Sequence, residues 1–205
     1  GQISAAEIMR KTEVLELGKY RFLFDLDATI TKVEILPEIA RRIGRAEQMR
    51  ELTERTMAGE IPFEHSFIER VNLLKQIPVS TVSEIILQVP LHQEIVRFIQ
   101  ENKEDCYVVT GNLDVWIRGL MESLGLSGHY FCSKARVDGT GETLLGIASV
   151  MDKAETIRQF PRPFVAVGDG NNDAEMIGAA EIGIGFGGVR PIAPSVLQNA
   201  THAAY

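Results

Sequence analysis

A short apolar segment near the start of the chain, residues 22–24, constrains the fold more than any other feature. The segment has no alternating polar residues, which is typical of a strand buried on both faces of a parallel sheet. Asp25 and Asp27 follow it directly, with Thr29 behind them. Two neighbouring carboxylates favour a bound cation, and ligands bind at the carboxyl ends of parallel strands. The same pattern also fits a strand that runs into an acidic, solvated turn.

The hydrophobic period of the chain changes at about residue 90. From residue 33 to residue 89, apolar residues recur at helical spacing, which predicts four short helices in a row. Beyond residue 90, strand-like and helix-like segments alternate, as is typical of a parallel sheet with helices on both faces. Strands are predicted at residues 106–109, 164–167 and 182–184 and twice within 130–145, and helices at 91–102, 113–124, 149–160 and 172–180.

The predicted fold class is α/β, a Rossmann-like parallel sheet core with a small helical cap domain inserted after the first strand. We expect residues 1–32 and 91–205 to form the core and residues 33–90 to form the cap. Residues 2–19 have the composition of a polar leading segment with some helical character. Two facing domains enclose a cleft, and the first strand would deliver its acidic residues to that cleft.

The composition argues against two classes of function. The 205 residues carry a formal net charge of −7 without a cluster of basic residues, which argues against a nucleic-acid-binding surface. No segment is long and apolar enough to span a membrane. Cys106 and Cys132 lie in apolar segments, which predicts buried thiols in a reducing, cytoplasmic compartment. An acidic chain that binds an anion needs positive charge at the site, from a metal ion or a few side chains.

A second polar cluster follows the predicted strand at residues 106–109. Thr110, Gly111 and Asn112 lie directly before a predicted helix. A hydroxyl, an unhindered backbone and a helix N-terminus together can bind an anion. An ordinary strand-to-helix turn with Asn112 as the helix cap explains the same residues.

A third cluster, GDGNND, follows the predicted strand at residues 164–167. The glycines allow a sharp turn, so that Asp169 and Asp173 can point back at the end of the sheet, with Asn172 between them. A Gly/Asn-rich turn with an aspartate as helix cap is the alternative. Lys153 lies near a predicted helix start, where a lone lysine is usually a surface residue, and Lys134 is a competing candidate for a cation at the site.

Together these segments resemble the haloacid dehalogenase-like hydrolase superfamily over residues 20–201. DLDATI resembles its first motif, TGN its second, Lys153 its third and GDGNND its fourth. Within the predicted cap, Glu34, Met57, Phe63 and Arg70 resemble the signature of phosphoserine phosphatases. In that family the glutamate and the arginine bind the amino and carboxylate groups of phosphoserine. The second motif there usually reads Ser-Gly-Gly, whereas this chain places a side chain, that of Asn112, beside the expected substrate.

The resemblance implies a Mg²⁺-dependent phosphomonoester hydrolase that works through an aspartyl-phosphate. Asp25 is expected to attack phosphorus, and Asp27 to act as general acid and base. Asp25, the Asp27 backbone carbonyl and Asp169 are the expected Mg²⁺ ligands, with Asp173 in a supporting role. Thr110 and Lys153 are catalytic candidates that hold the phosphoryl oxygens, and the residues expected to bind substrate are Glu34, Met57, Phe63, Arg70, Thr110, Gly111, Asn112, Lys153 and Asn172.

The implied substrate is a small phosphorylated metabolite, with O-phosphoserine of L-serine biosynthesis as the first candidate. Another small phosphomonoester is an alternative, as is a phosphotransferase or mutase that passes the same aspartyl-phosphate to a different acceptor. A non-catalytic regulatory protein with this fold is a weaker alternative, because such proteins usually lose the nucleophile and this chain retains both Asp25 and Asp27. No nucleic-acid or membrane partner is expected, and the chain is expected to be a monomer or a homodimer.

Overall fold

One mostly parallel sheet organises the chain in a computed structural model that describes Ser4 and residues 20–189 and 191–205. The polar leading segment predicted at residues 2–19 therefore lies outside the described residues, Ser4 apart. The described strands are β1 (Arg21–Phe24), β2 (Cys106–Leu113), β3 (Tyr130–Val137), β4 (Leu144–Ser149), β5 (Phe164–Gly168), β6 (Ile182–Phe186) and β7 (His202–Ala204). They form one sheet in the order β4-β3-β2-β1-β5-β6-β7. Every neighbouring pair is parallel except β3 and β4, which are antiparallel.

The apolar segment that opens the chain forms the central strand, as predicted. β1 pairs with β2 on one side and β5 on the other, and Phe24 is in register with both Val108 and Val167. Phe22 and Phe24 pack into the apolar cluster on one face of the sheet and Leu23 into the cluster on the other face. The carboxyl ends of β1, β2 and β5 therefore meet at one edge, where ligands of open α/β sheets bind.

Helices cover this sheet and form a segment between β1 and β2. The described helices are α1 (Ile35–Arg42), α2 (Ala46–Met57), α3 (Phe63–Leu74), α4 (Val79–Leu87), α5 (Gln93–Glu101), α6 (Asp114–Ser123), α7 (Lys153–Arg158), α8 (Ala174–Ala179) and α9 (Pro194–Asn199). Helices α1–α4, here called the four-helix segment, match the four helices predicted after the first strand. The predicted α/β fold is confirmed, and the division into a core domain and a cap domain stays a prediction.

The two connections to the four-helix segment run side by side. Thr31 and Leu91 form an isolated antiparallel bridge. The backbone N–H of Lys32 donates to the Pro90 carbonyl at 2.8 Å, and that of His92 donates to the Ile30 carbonyl at 2.9 Å. The segment therefore leaves and rejoins the sheet at one place, close to the carboxyl end of β1.

Three details of the fold differ from the sequence prediction. The helix predicted at residues 149–160 begins only at Lys153, because β4 continues through Ser149. The Asp152 side chain accepts a hydrogen bond from the Glu155 N–H and so caps the start of α7. Helix α9 and strand β7 were not predicted, since their sequence is short and carries little periodicity.

Candidate active site

The first acidic cluster lies in a tight turn directly after β1. Residues Leu26–Ile30 form this turn, and Ala28 adopts a φ of 60°, which is unusual for a residue with a side chain. The Thr31 hydroxyl stabilises the turn, because it accepts from the Ala28 N–H at 3.0 Å and donates to the Val33 carbonyl at 2.6 Å. The Asp27 carboxylate accepts from the Ile35 N–H at 3.4 Å, at the start of α1. The Asp27 carboxylate is therefore directed towards α1.

Lys153 forms a buried ion pair with Asp25. Its Nζ donates to Asp25 Oδ1 at 2.7 Å and to Asp173 Oδ1 at 2.5 Å. The side chains of Lys153, Asp25 and Asp173 are 5%, 9% and 0% exposed, so solvent screens this ion pair little. Burial raises the pKa of Asp25 well above its usual value, and the charges of Asp173 and Asp169 add to this against the opposing effect of Lys153. Burial alone would lower the pKa of Lys153, but the two aspartates raise it, so Lys153 stays protonated.

Asp173 also shapes the loop after β5. Its Oδ2 accepts from the backbone N–H groups of Asp169 and Gly170, each at 3.2 Å. A Cβ on Gly168 would lie 2.7 Å from the Asp173 carboxyl carbon, so glycine is required for this close approach. Asp173 therefore contacts both Lys153 and the loop, and its supporting role stays a prediction.

The charge of this buried group suits a divalent cation. Oxygen atoms of Asp25, Asp169 and Asp173 all lie within 4.8 Å of one another, and all three residues are buried. Three ionised carboxylates would outnumber the single ammonium of Lys153, and a bound divalent cation would favour the ionised form of Asp25 against the effect of burial. Carboxylate oxygens are the ligands that Mg²⁺ prefers. The chain therefore has residues that fit a metal ion. The sequence assigned Asp173 to support rather than to this cluster, and the Asp27 carbonyl stays a predicted ligand.

A cavity of about 620 Å³ opens between the four-helix segment and the carboxyl ends of the strands. Lys153 and Asp173 are buried behind the wall of this cavity. Lys153 bonds both Asp173 and Asp25, and Asp25 lines the cavity. Its lining includes eleven of the predicted site residues, namely Asp25, Asp27, Glu34, Met57, Phe63, Arg70, Thr110, Gly111, Asn112, Asp169 and Asn172. The structure thus brings together the residues that the sequence predicted, although their roles stay predictions.

Sequence reasoning missed part of the cavity wall. Thr53 lies one helical turn before Met57 on α2, and this spacing could have identified it. The wall formed by residues 191–194 carries no comparable signal, because the loop before α9 and the first residue of that helix reach the cavity only through the fold.

Helix α3 closes the cavity over the end of β2. Phe63 packs directly on Gly111, where an added Cβ would lie only 2.5 Å from the ring carbon Cζ. The Phe63 ring stacks on that of Phe67 with centroids 5.9 Å apart, and the guanidinium carbon of Arg70 lies 5.9 Å from the Phe63 centroid. Arg70 is only 9% exposed. One face of α3 therefore brings two aromatic rings and a guanidinium close to the second polar cluster, residues 110–112. The rings of Phe63 and Phe67 are here called the aromatic cover.

Asn112 does not act as the helix cap that the alternative explanation required. The N-cap of α6 is Leu113, which has no side-chain cap. The Asn112 Oδ1 accepts from the neighbouring Leu113 N–H at 2.8 Å, and the Asn112 backbone N–H donates to Thr110 Oγ1 at 3.1 Å. These bonds fix both polar side chains at the end of β2 on the cavity wall.

The curated relatives of this chain include phosphoserine phosphatases. A phosphoserine phosphatase from Archaeoglobus fulgidus is 33% identical over 192 residues, which cover 87% of this chain and 56% of the relative. One from Methanocaldococcus jannaschii is 32% identical over 185 residues, which cover 84% of this chain and 87% of the relative. The chain thus spans little more than half of the first relative and most of the second.

A comparison with solved structures also finds a phosphoserine phosphatase. A solved phosphoserine phosphatase with a phospho-aspartyl intermediate analogue matches with a TM-score of 0.73 and 27% identity, over 91% of this chain and 93% of that one. These relatives support the predicted enzyme class, a phosphatase. The haloacid dehalogenase-like hydrolase family model matches residues 22–177. The chain therefore belongs to the haloacid dehalogenase-like hydrolase family and is similar, within it, to the phosphoserine phosphatases.

Proposed function

We propose that this chain hydrolyses a small phosphate monoester through an aspartyl-phosphate on Asp25, and that its substrate is O-phosphoserine. The observation that carries the proposal is the cavity that Asp25 and Asp27, from the turn after β1, line together with Thr110 from β2 and Arg70 from α3. The similarity to phosphoserine phosphatases over most of the chain supports the choice of substrate.

The chemistry divides between the two acids of the turn after β1. An Asp25 carboxylate oxygen attacks phosphorus, the bond from phosphorus to the ester oxygen breaks, and Asp27 gives its proton to that oxygen. Asp27 then takes a proton from water, which attacks the aspartyl-phosphate and releases phosphate. Lys153 donates to Asp25 Oδ1 and fixes the orientation of the carboxylate. Thr110 and the Gly111 N–H hold phosphoryl oxygens where negative charge develops.

A metal ion would neutralise the charge that remains. Asp25, the Asp27 carbonyl and Asp169 would hold Mg²⁺, which when bound reduces the repulsion between a phosphate and the acidic site. The close approach of the Asp25, Asp169 and Asp173 carboxylates supports this part of the proposal.

The leaving group would be recognised by residues of the four-helix segment and the connection before it. The Arg70 guanidinium stays charged and can bind a carboxylate through two parallel hydrogen bonds. Glu34 precedes α1 and lines the same cavity, so it can bind an ammonium group. Phosphoserine carries both groups, with Met57 and Phe63 around its carbon atoms.

The test is phosphate release from O-phosphoserine and from p-nitrophenyl phosphate with Mg²⁺. Arg70→Ala should lower kcat/KM for phosphoserine by about 2–5 kcal/mol of transition-state stabilisation, the range for removing one partner of a buried charge pair. It should leave p-nitrophenyl phosphate almost unchanged, because that substrate has no carboxylate. Arg55→Ala is the matched control, since Arg55 is half exposed on α2. Asp25→Asn should abolish the turnover of both substrates.

Three outcomes would contradict the proposal. If wild type does not hydrolyse phosphoserine, or if Arg70→Ala slows both substrates alike, the proposed substrate is wrong. If Asp25→Asn retains activity within tenfold of wild type, the nucleophile is wrong. Transfer of the phosphoryl group to added alcohols instead of water would favour the phosphotransferase alternative.

The remaining sequence predictions concern the surroundings of the chain. Within the part of the chain that the structure describes, no helix combines the length and the apolar character needed to cross a membrane. A cytoplasmic location, a monomer or homodimer, the absence of a nucleic-acid partner and a place in L-serine biosynthesis stay predictions.

A further inference from the structure

The side chain of Asn112 holds, within the described part of the chain, an unpaired, buried hydrogen-bond donor in the wall of the cavity. Its Oδ1 accepts from the Leu113 N–H at 2.8 Å. A backbone N–H can only donate, so the amide oxygen must face Leu113 and the NH₂ group must point the other way. Asn112 is 4% exposed and lines the cavity, and its Nδ2 has no hydrogen-bond partner among the residues that the structure describes. Buried donors are nearly always paired, so this one indicates a partner supplied by a ligand.

The residue before Asn112 lies beneath α3. Phe63 of α3 packs on Gly111. Arg70, from the same helix, lies 5.9 Å from the centre of that ring. Asn112 is therefore one residue away from the contact with Phe63, and Phe63 in turn neighbours the guanidinium.

The charges of the cavity decide which acceptor this donor suits. An ammonium group cannot pair with it, because an ammonium only donates and the Asn112 oxygen is already bonded. Among the charged lining residues that the structure describes, Asp25, Asp27, Glu34 and Asp169 are acidic and Arg70 is basic. A substrate carboxylate beside Arg70 would gain from a neutral N–H donor in addition to the guanidinium. The reason is that hydrogen bonds to an ionised group are stronger than those between neutral groups.

We propose that the Asn112 amide donates to the substrate carboxylate beside Arg70, which makes Asn112 a specificity-determining residue. The inference rests on the proposed function, because it assumes that the leaving group carries a carboxylate. It assigns a purpose to the side chain that the second motif carries where the Ser-Gly-Gly of phosphoserine phosphatases has a glycine.

The test compares O-phosphoserine with O-phosphoethanolamine, which lacks only the carboxylate. Asn112→Ala should lower kcat/KM for phosphoserine roughly 10- to 100-fold, the loss expected for a hydrogen bond to a charged group. The change for phosphoethanolamine should stay within about threefold. Asn112→Asp keeps the shape and the acceptor for Leu113, and should lower phosphoserine turnover further because it faces the substrate with a like charge. Asn72→Ala, an exposed asparagine on α3, is the matched control and should change neither substrate.

The inference is overturned if both Asn112 variants lower kcat/KM equally for the two substrates, since the amide would then act on the phosphoryl group or on the strand. It is also overturned if neither variant changes the ratio between the substrates. Wild-type turnover decides the proposed function separately. If wild type ignores phosphoserine, the pair 2-phosphoglycolate and ethyl phosphate tests the same carboxylate contact without the amino group, and an unchanged ratio there overturns the inference too.

Discussion

Replacement of Lys153 by methionine tests the charge balance on which the site depends. Methionine has a similar length and no charge, so the substitution removes the ammonium without leaving a large void. Lys153 bonds Asp25 and Asp173, and the three side chains are 5%, 9% and 0% exposed, which leaves little solvent to replace the lost charge. Removal of one partner of a buried ion pair costs about 3–5 kcal/mol. For a protein of this size each kcal/mol lowers Tm by about 2–4 °C, so Lys153→Met should melt roughly 6–20 °C lower.

Thermal unfolding in a buffer with EDTA is the assay, because a bound metal ion would mask the loss of positive charge. The double variant Lys153→Met/Asp173→Asn removes one carboxylate together with the ammonium and should recover part of the lost Tm. Lys134→Met is the matched control, since Lys134 is exposed and its Nζ lies 3.9 Å from Cys132 Sγ, outside the acidic group. Its free energy of unfolding should stay within about 0.5 kcal/mol of wild type.

Two results would refute this reasoning. A Tm of Lys153→Met within the scatter of wild type would show that the carboxylates do not depend on the ammonium. A double variant no more stable than Lys153→Met would show that the loss arises from packing and not from unbalanced charge.

Two further perturbations test the cover and the metal site. Gly111→Ala should destabilise the protein by about 1–3 kcal/mol and lower kcat/KM for phosphoserine, because the new methyl group displaces the Phe63 ring. In a Phe63→Leu background the penalty, read from urea unfolding, should shrink, and an equal penalty in both backgrounds would contradict the contact. EDTA should stop phosphate release, Mg²⁺ should restore it and Ca²⁺ should restore it poorly, because Ca²⁺ takes longer and looser coordination. Full activity in EDTA would remove the metal role proposed for Asp169.

The parts of the site that lie at strand ends could be predicted from sequence. A buried strand is visible as an uninterrupted apolar run, and parallel strands bring their carboxyl ends to one edge of the sheet. Asp25, Asp27, Thr110 and Asp169 follow such runs, so their approach to one another needs no knowledge of side-chain contacts. The helical spacing of α1–α4 was equally direct, because each helix has an apolar face.

The remaining parts depend on contacts that no local pattern records. Lys134 competed with Lys153 as long as only the local residue pattern was considered, and the contact between Lys153 and Asp25, 128 residues apart, distinguishes the two. The orientation of the Asn112 amide follows from one backbone N–H that no residue type specifies. Strand β7 contains three residues and pairs only at the edge of the sheet, so tertiary pairing and not propensity determines it.

The acidic residues of the cavity oppose the binding of a phosphate group. Asp25, Asp27 and Asp169 would repel a dianionic phosphoryl group, and the Lys153 ammonium is already bonded to Asp25 and Asp173. Part of its charge therefore balances these two carboxylates. A divalent cation at the carboxylates would meet the phosphoryl end, while Arg70 and the Asn112 amide would meet the other end. The two ends of the cavity would therefore bind different groups of the ligand. Removal of the metal should lower the turnover of every phosphomonoester. Removal of the Asn112 donor should lower the turnover only of those that carry a carboxylate.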